Sequence, residues 1–201
     1  MLQSHDDRPD PHTVPIDAGE RAERRLIDRI ADGDLGAFEE FYRGYHARLA
    51  RFLDRTLRRS TLVDEVLNDT MLVIWKRSDR FDGSCKVSTW IFAIAYRKAL
   101  KALQRLDDSV VDDTLEERPA PRAGGPEQQA QTRELNLRLA RALTELSMDH
   151  RMVVELTYFH GMGYREIAQI ADCPIDTVKT RMFHARRRLR ALLAGNAEDW
   201  L

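Results

Sequence analysis

The sequence predicts an all-α chain of two small helical domains joined by a flexible acidic linker. Apolar residues recur at three- and four-residue intervals through two long stretches, nothing alternates in the manner of a strand, and a Pro- and Gly-broken acidic segment separates the stretches. At 201 residues and 43% hydrophobic, the chain has room for one ordinary domain or two small ones and enough apolar mass to bury cores. Its 32 Lys and Arg against 33 Asp and Glu give a formal charge of -1. Any dealing with a polyanion therefore depends on how charge is distributed, not on its sum.

Residues 1–19 are rich in Asp, Pro and His and poor in large apolar side chains. Such a segment cannot offset the entropy lost on ordering and is expected to be a loose tail. It lacks the basic start and apolar centre of a signal peptide, and no apolar run nears the roughly 18 to 20 residues of a membrane span. The chain is expected in the cytoplasm.

Residues 20–105 form the first domain, a helical bundle. Leu26, Ile27 and Ile30 mark the inward face of its first helix, and Phe38, Phe41, Tyr42, Tyr45, Leu49, Phe52 and Leu53 that of the second. Val66, Met71, Leu72 and Trp75 mark the third, and Trp90, Ile91, Ile94, Ala95 and Leu103 the fourth. On the third helix Asp64, Glu65, Asn68 and Asp69 share one side while Val66, Leu67 and Trp75 face inward. RFDGSCKVSTW then places a glycine-containing loop, Asp82, Gly83, Ser84, Cys85, Lys86 and Val87, ahead of a helix bearing Arg97, Lys98, Lys101 and Arg105. Phe81 and Trp90 beside this loop, aromatic residues at helical spacing, read as core, and the family resemblance given below adds a second reading, a stacking surface for bases.

Residues 106–131 are the linker. Asp107, Asp108, Asp112, Asp113, Glu116, Glu117 and Glu127 face only Arg118 and Arg122, and Pro119, Pro121, Gly124, Gly125 and Pro126 break any helix. A tether needs only length and flexibility, and the excess of acid goes beyond that need.

Residues 132–193 form the second domain, with a helix ending near His160, a Gly161-Met162-Gly163 break, the short helix YREIAQIA, a tight turn at Asp172-Cys173, and a longer helix. Short helix, turn, longer helix is the helix-turn-helix plan. Gly163 stands at the N-cap with Glu166 three residues on, half of a capping box, and Pro174 suits a first helical turn. In the last helix Val178, Met182, Ala185, Leu189 and Leu192 form the inward stripe. Thr177, Thr180, Arg181, His184 and Arg188 lie opposite, flanked by Lys179, Arg186 and Arg187, with no acid between Asp176 and Leu193. Arg and Lys on such a helix reach guanine edges in the major groove while flanking cations hold phosphates. Residues 194–201 are expected to be a short tail with no added regulatory domain.

Enzyme chemistry finds no foothold. There is no G-x-x-x-x-G-K-[ST] loop, no Glu followed three residues later by His, and no ligand spacing around His46, His150, His160 and His184. Cys85 and Cys173 stand in no disulfide or zinc spacing. No catalytic residue, metal, cofactor or small-molecule substrate is expected.

EIAQIADCPIDTVKTRMFHARRRL resembles the fourth conserved region of bacterial sigma factors of the sigma-70 family, in particular the extracytoplasmic function (ECF) group. AFEEFYRGYHARLARFL, VDEVLNDTMLVIWKRSDRFDG and VSTWIFAIAYRKALKALQR resemble the second region, so the likeness covers roughly residues 24 to 105 and 134 to 193. The resemblance implies a transcription initiation factor, not an enzyme, that binds core RNA polymerase and promoter DNA. It implies that Asp64, Glu65, Asn68 and Asp69 dock on the β′ clamp helices, with a further contact to the β flap. The loop Asp82–Val87 and Arg97, Lys98, Lys101 and Arg105 would open the minus 10 element and hold an extruded base. The last helix would read the minus 35 element. An anti-sigma factor, often membrane-anchored, would clamp both domains. Tyr96 and Arg97 stand where many members carry Arg-Asn, Gly163 replaces a common Ser, and Asp176 a common Gly. The competing reading, a stand-alone helix-turn-helix repressor or activator, accounts for the last 60 residues and leaves the acidic face, the DGSCK loop and the linker without a role.

Overall fold

The computed structural model describes residues 17–107 and 137–194. The expectations placed on residues 1–16, on linker residues 108–131 and on 195–201 lie outside the described residues. Helix α1, Ala18–Ala31, starts inside the stretch expected to be tail, because the Asp17 carboxylate accepts the Glu20 N–H at 2.8 Å and so satisfies one orphan donor of the first turn. Asp34 does the same for α2, Leu35–Leu57, through Ala37 N–H at 3.0 Å. Helix α3, Ser60–Arg77, runs into a 3₁₀ turn at Ser78–Arg80, and α4 spans Val87–Asp107. After the linker come a helical stretch at residues 137–144 (α5), then α6, Met148–Tyr158, α7, Tyr164–Ala171, and α8, Ile175–Ala194. No strand occurs among the described residues. Pro174 sits one residue ahead of α8, and its carbonyl accepts Thr177 N–H at 2.9 Å.

The first four helices close on Phe41, Leu49, Phe52, Leu53, Leu67, Ile74 and Ile91, all buried. Helices α6, α7 and α8 close on Met152, Leu156, Ile167, Ile170, Val178 and Met182. Leu72 departs from its expected place in the core and is 48% exposed, since it falls on the same side of α3 as Asn68 and Asp69.

The two domains share a continuous core, with α4 packed on α7 and α2 on α6. The reason is in α4. Ile91, Phe92, Ala93, Ile94, Ala95 and Tyr96 are all buried, and an unbroken apolar run gives a helix two apolar sides. One meets α2 and α3 and the other meets α7. Burial of a side chain such as Phe92 contributes about 1.5–3 kcal/mol.

Polar contacts fasten the same seam. The guanidinium of Arg151 on α6, 5% exposed, donates to the carbonyls of Arg55 at 3.3 Å, Thr56 at 3.1 Å and Leu146 at 2.8 Å. A cation from the second domain thus caps the C-terminus of α2, where the helix dipole is negative. Burial pulls this guanidinium down to about 10, so it stays charged at neutral pH. In return Arg58, in the left-handed region at φ 59°, donates to the Thr144 carbonyl at 2.6 Å, and Arg55 meets the buried Glu155 at 3.2 Å.

Candidate nucleic-acid interface

The acidic side of α3 is built as the sequence predicts, with Asp64, Glu65 and Asn68 exposed and Val66 and Leu67 buried beneath them. Two of its carboxylates are engaged by α4, Glu65 by Arg105 at 2.7 Å and Asp69 by Lys98 at 3.0 Å. The face expected to meet polymerase and the cations expected to meet DNA therefore adjoin and partly neutralise each other. Exposed Leu72 adds an apolar contact point to this face.

The loop before α4 is held by two residues that sequence reasoning missed. Glu20 on α1, 8% exposed, accepts the Val87 N–H at 3.0 Å and so caps α4 from another helix. Arg24, paired with Glu20 at 2.9 Å, donates to the carbonyls of Gly83 and Cys85, each at 3.1 Å. The only trace in the sequence is a Glu and an Arg four apart. Gly83 adopts φ +73°, which favours glycine, and a Cβ there would lie 2.7 Å from Arg24 Nη1, so the guanidinium would have to shift from its place under the loop. Ser84 N–H donates to Asp82 at 2.9 Å, closing an Asx turn, and these Ser84 contacts hold the Asp82 carboxyl below its usual range. Val87, expected within a DNA-facing loop, is fully buried, because a residue capped by Glu20 opens the helix against the core. Arg97, Lys101 and Arg105 are exposed on α4, Lys98 less so. Phe81 and Trp90 pack on each other at 5.4 Å and remain half-buried against the core.

The second domain shows the expected helix-turn-helix. Gly163 N–H donates to Glu166 at 2.8 Å, Asp172 turns the chain at φ +49°, and Val178, Met182 and Ala185 are buried while Leu189 and Leu192 are half-buried. Of the outward residues, Thr180 and Arg187 are exposed and make no polar contact with a described side chain. Thr177 and His184 are half-buried, and Arg188 reaches Glu145 at 4.0 Å. Lys179 pairs with Asp176 at 2.9 Å, and Arg186 donates to the Tyr158 hydroxyl at 3.0 Å.

Three residues close a latch across the domain seam. Asp149 on α6 accepts the Tyr96 hydroxyl of α4 at 2.7 Å on one oxygen and pairs with Arg181 of α8 through the other. Burial, then this hydrogen bond, raise the Tyr96 phenol, so it remains a donor. Nearby, Lys86 of the loop pairs with Glu166 of α7 at 3.0 Å, a contact that raises its ammonium further. The loop and the recognition helix are thus fastened through α7 and α6. Tyr96 makes the α4 end of the latch.

Comparison with known proteins agrees with this geometry. Residues 41–108 match the family model for sigma-70 region 2, and residues 136–189 the model for sigma-70 region 4. Over 173 residues the chain is 30% identical to the ECF RNA polymerase sigma-E factors of Salmonella typhimurium and Escherichia coli, covering 82% of this chain and 90% of theirs. It is 29% identical over 164 residues to the ECF RNA polymerase sigma factor RpoE of Cereibacter sphaeroides, covering 78% of this chain and 86% of that one. Among solved structures it is similar to CnrH in complex with the cytosolic domain of CnrY, with TM-score 0.65 and 27% identity over 87% of this chain and 99% of that one. It is also similar to the sigma factor RpoE in complex with the anti-sigma factor NepR from Bartonella quintana, with TM-score 0.61 and 26% identity over 78% and 96% of the two chains. Two region models in the right order, relatives matched over most of their length and a shared fold place the chain in the ECF group of the sigma-70 family of RNA polymerase sigma factors.

Proposed function

We infer that this chain brings core RNA polymerase to promoters, docking through Asp64, Glu65, Asn68, Asp69 and Leu72. The loop from Asp82 to Lys86 with Arg97, Lys98, Lys101 and Arg105 serves the minus 10 element, and Thr177, Lys179, Thr180, Arg181, His184, Arg186, Arg187 and Arg188 on α8 serve the minus 35 element. The observation that carries this reading is the latch. Arg181, the half-buried cation of the outward face of α8, is held by Asp149 together with Tyr96. The pair lies within the second domain, Asp149 on α6 and Arg181 on α8, so promoter binding has to displace Asp149 from Arg181, while the Tyr96 hydroxyl ties the same carboxylate to the first domain. Two similar structures are complexes, one of them with an anti-sigma factor, which supports control of this chain by such a partner. No described helix is long and apolar enough to cross a membrane.

The test is reconstitution with core polymerase followed by transcription-start mapping on genomic DNA. The reading expects defined start sites that depend on both components. Tight, sequence-specific duplex binding by the chain alone, with no start sites when polymerase is added, would establish the repressor reading instead.

A further inference from the structure

One cleft takes no part in this reading. It lies between α2 and the turn after α6, encloses about 370 Å³, and is lined by Arg48, Arg51, Arg55, Phe159 and His160. That volume falls in the roughly 300–1,000 Å³ range of small-ligand sites. Intervals of three and four residues set the three arginines on one side of α2. Among the described residues Arg55 alone of the three is in an ion pair, with Glu155 at 3.2 Å, and the Glu23 carboxylate lies near enough to Arg48 for the two charges to attract. Among the described residues Arg48 and Arg51 make no ion pair or hydrogen bond. Ring faces hold two of these guanidiniums in place, Tyr45 at 5.0 Å beneath Arg48 and Phe159 at 4.1 Å beneath Arg55. Their N–H donors therefore remain largely unspent. Phe159 is 48% exposed at the cleft. His160 packs edge-on against Phe92 at 4.7 Å, and burial, with the three arginines around it, pushes its imidazole down to about 4, so at neutral pH it does not add to the positive charge. The site is a set of like charges with free donors beside an aromatic ring, an arrangement that an anion relieves.

We propose that this cleft binds a small polyphosphate ligand of the nucleotide class, with phosphate oxygens on Arg48 and Arg51 and a flat ring against Phe159. Guanidinium forks match phosphate oxygens two at a time, and two unspent forks about one helical turn apart suit more than one phosphate. An exposed aromatic face accepts any base by stacking. The arginines belong to the first domain and Phe159 and His160 to the second, so the ligand touches both. It favours the joined arrangement, in which Tyr96 of the first domain holds the Asp149 carboxylate that pairs with Arg181, a consequence that rests on the reading of α8 given above.

Calorimetric titration of the full chain with pyrophosphate and with GDP at near-physiological salt tests the site without polymerase or DNA. Saturable binding is expected, tighter for GDP. Arg48→Gln and Arg51→Gln should each weaken it at least tenfold, and Phe159→Leu should bring GDP down to the level of pyrophosphate. Arg43→Gln serves as the control, since Arg43 lies off that side of α2 with a side chain 75% exposed. No saturable heat with either probe overturns the proposal, and so does equal weakening by Arg43→Gln, which would mean a diffuse polyanion effect. Equal affinity for the two probes overturns the assignment to the nucleotide class. Arg51 is exposed outside the core, and melting curves verify that its variant folds. A failed titration leaves the sigma-factor reading standing, while a failed transcription assay leaves the titration standing.

Discussion

A methyl group on Gly83 would meet the guanidinium of Arg24 at 2.7 Å from a backbone already at φ +73°. A left-handed conformation costs a non-glycine residue roughly 1–2 kcal/mol, so Gly83→Ala should lower unfolding free energy by about that amount in denaturant titration. Because the same guanidinium holds the Gly83 and Cys85 carbonyls, the variant should also impair promoter opening while leaving core polymerase affinity unchanged. On α8, Arg181→Ala should relax base preference at one promoter position by about 1–3 kcal/mol. Arg187→Ala, which removes an exposed cation with no described partner, should weaken binding to all sequences alike and reduce the salt slope by about one. Binding isotherms on promoter variants separate the two, and identical effects would abolish the division of roles. Residue identity was legible where one residue type has one use, as with the glycine of the loop and the arginines of α8. Glu20 and Arg24 were not legible, because their partners lie about sixty positions away and nothing local distinguishes them from a solvated helical pair.

At the scale of elements, periodicity found α2, α3, α7 and α8 because each buries one stripe and wets the other. Helix α4 was read only in half. Its positions 90, 91, 94, 95 and 103 gave the face toward the bundle, while Phe92, lodged between Phe52 of α2 and His160 of the α6–α7 turn, and Tyr96, bonded to Asp149 of α6, belong to a side that the second domain covers. A one-face template has no place for them. On α3 the acids are real but shared, and this alters how their role is tested. Glu65→Lys with Asp69→Lys should weaken core polymerase binding with helicity unchanged by circular dichroism, since exposed pairs such as Glu65–Arg105 contribute only about 0–1 kcal/mol to the fold. Adding Arg105→Glu restores an ion pair at the first position without restoring the acid. If affinity stays low the carboxylate itself meets polymerase, and if affinity returns the pair matters only for shape.

Across the whole molecule, the domain seam was the least legible feature, because a helical pattern in each half says nothing about whether the halves meet. Arg151 is its centre. It leaves water to cap α2 and sits beside Glu155, 1% exposed, whose carboxyl burial pushes up while Arg55 opposes the rise. Removing one member of a buried charged network costs on the order of 3 kcal/mol, much of it from the partners left behind. Arg151→Met should therefore part the domains or unfold the second one. Small-angle scattering distinguishes the outcomes, since parting enlarges the molecule with helicity intact, and an unchanged radius would show that the apolar seam suffices alone.

The Arg181 guanidinium has two anionic suitors, the carboxylate of Asp149 within the chain and the proposed promoter outside it, and ionic strength acts on both. In dilute buffer the internal pair keeps Arg181 on its own domain, and Lys86–Glu166 fastens that domain to the first. Added salt, with a Debye length near 10 Å at 0.1 M, loosens these partly exposed pairs first. More salt then strips the promoter, whose hold declines steeply as counterions return to the phosphates. Promoter capture by the isolated chain should consequently pass through a maximum at intermediate ionic strength, shallow because partly exposed pairs are weak, and Asp149→Asn should turn that maximum into a monotonic decline.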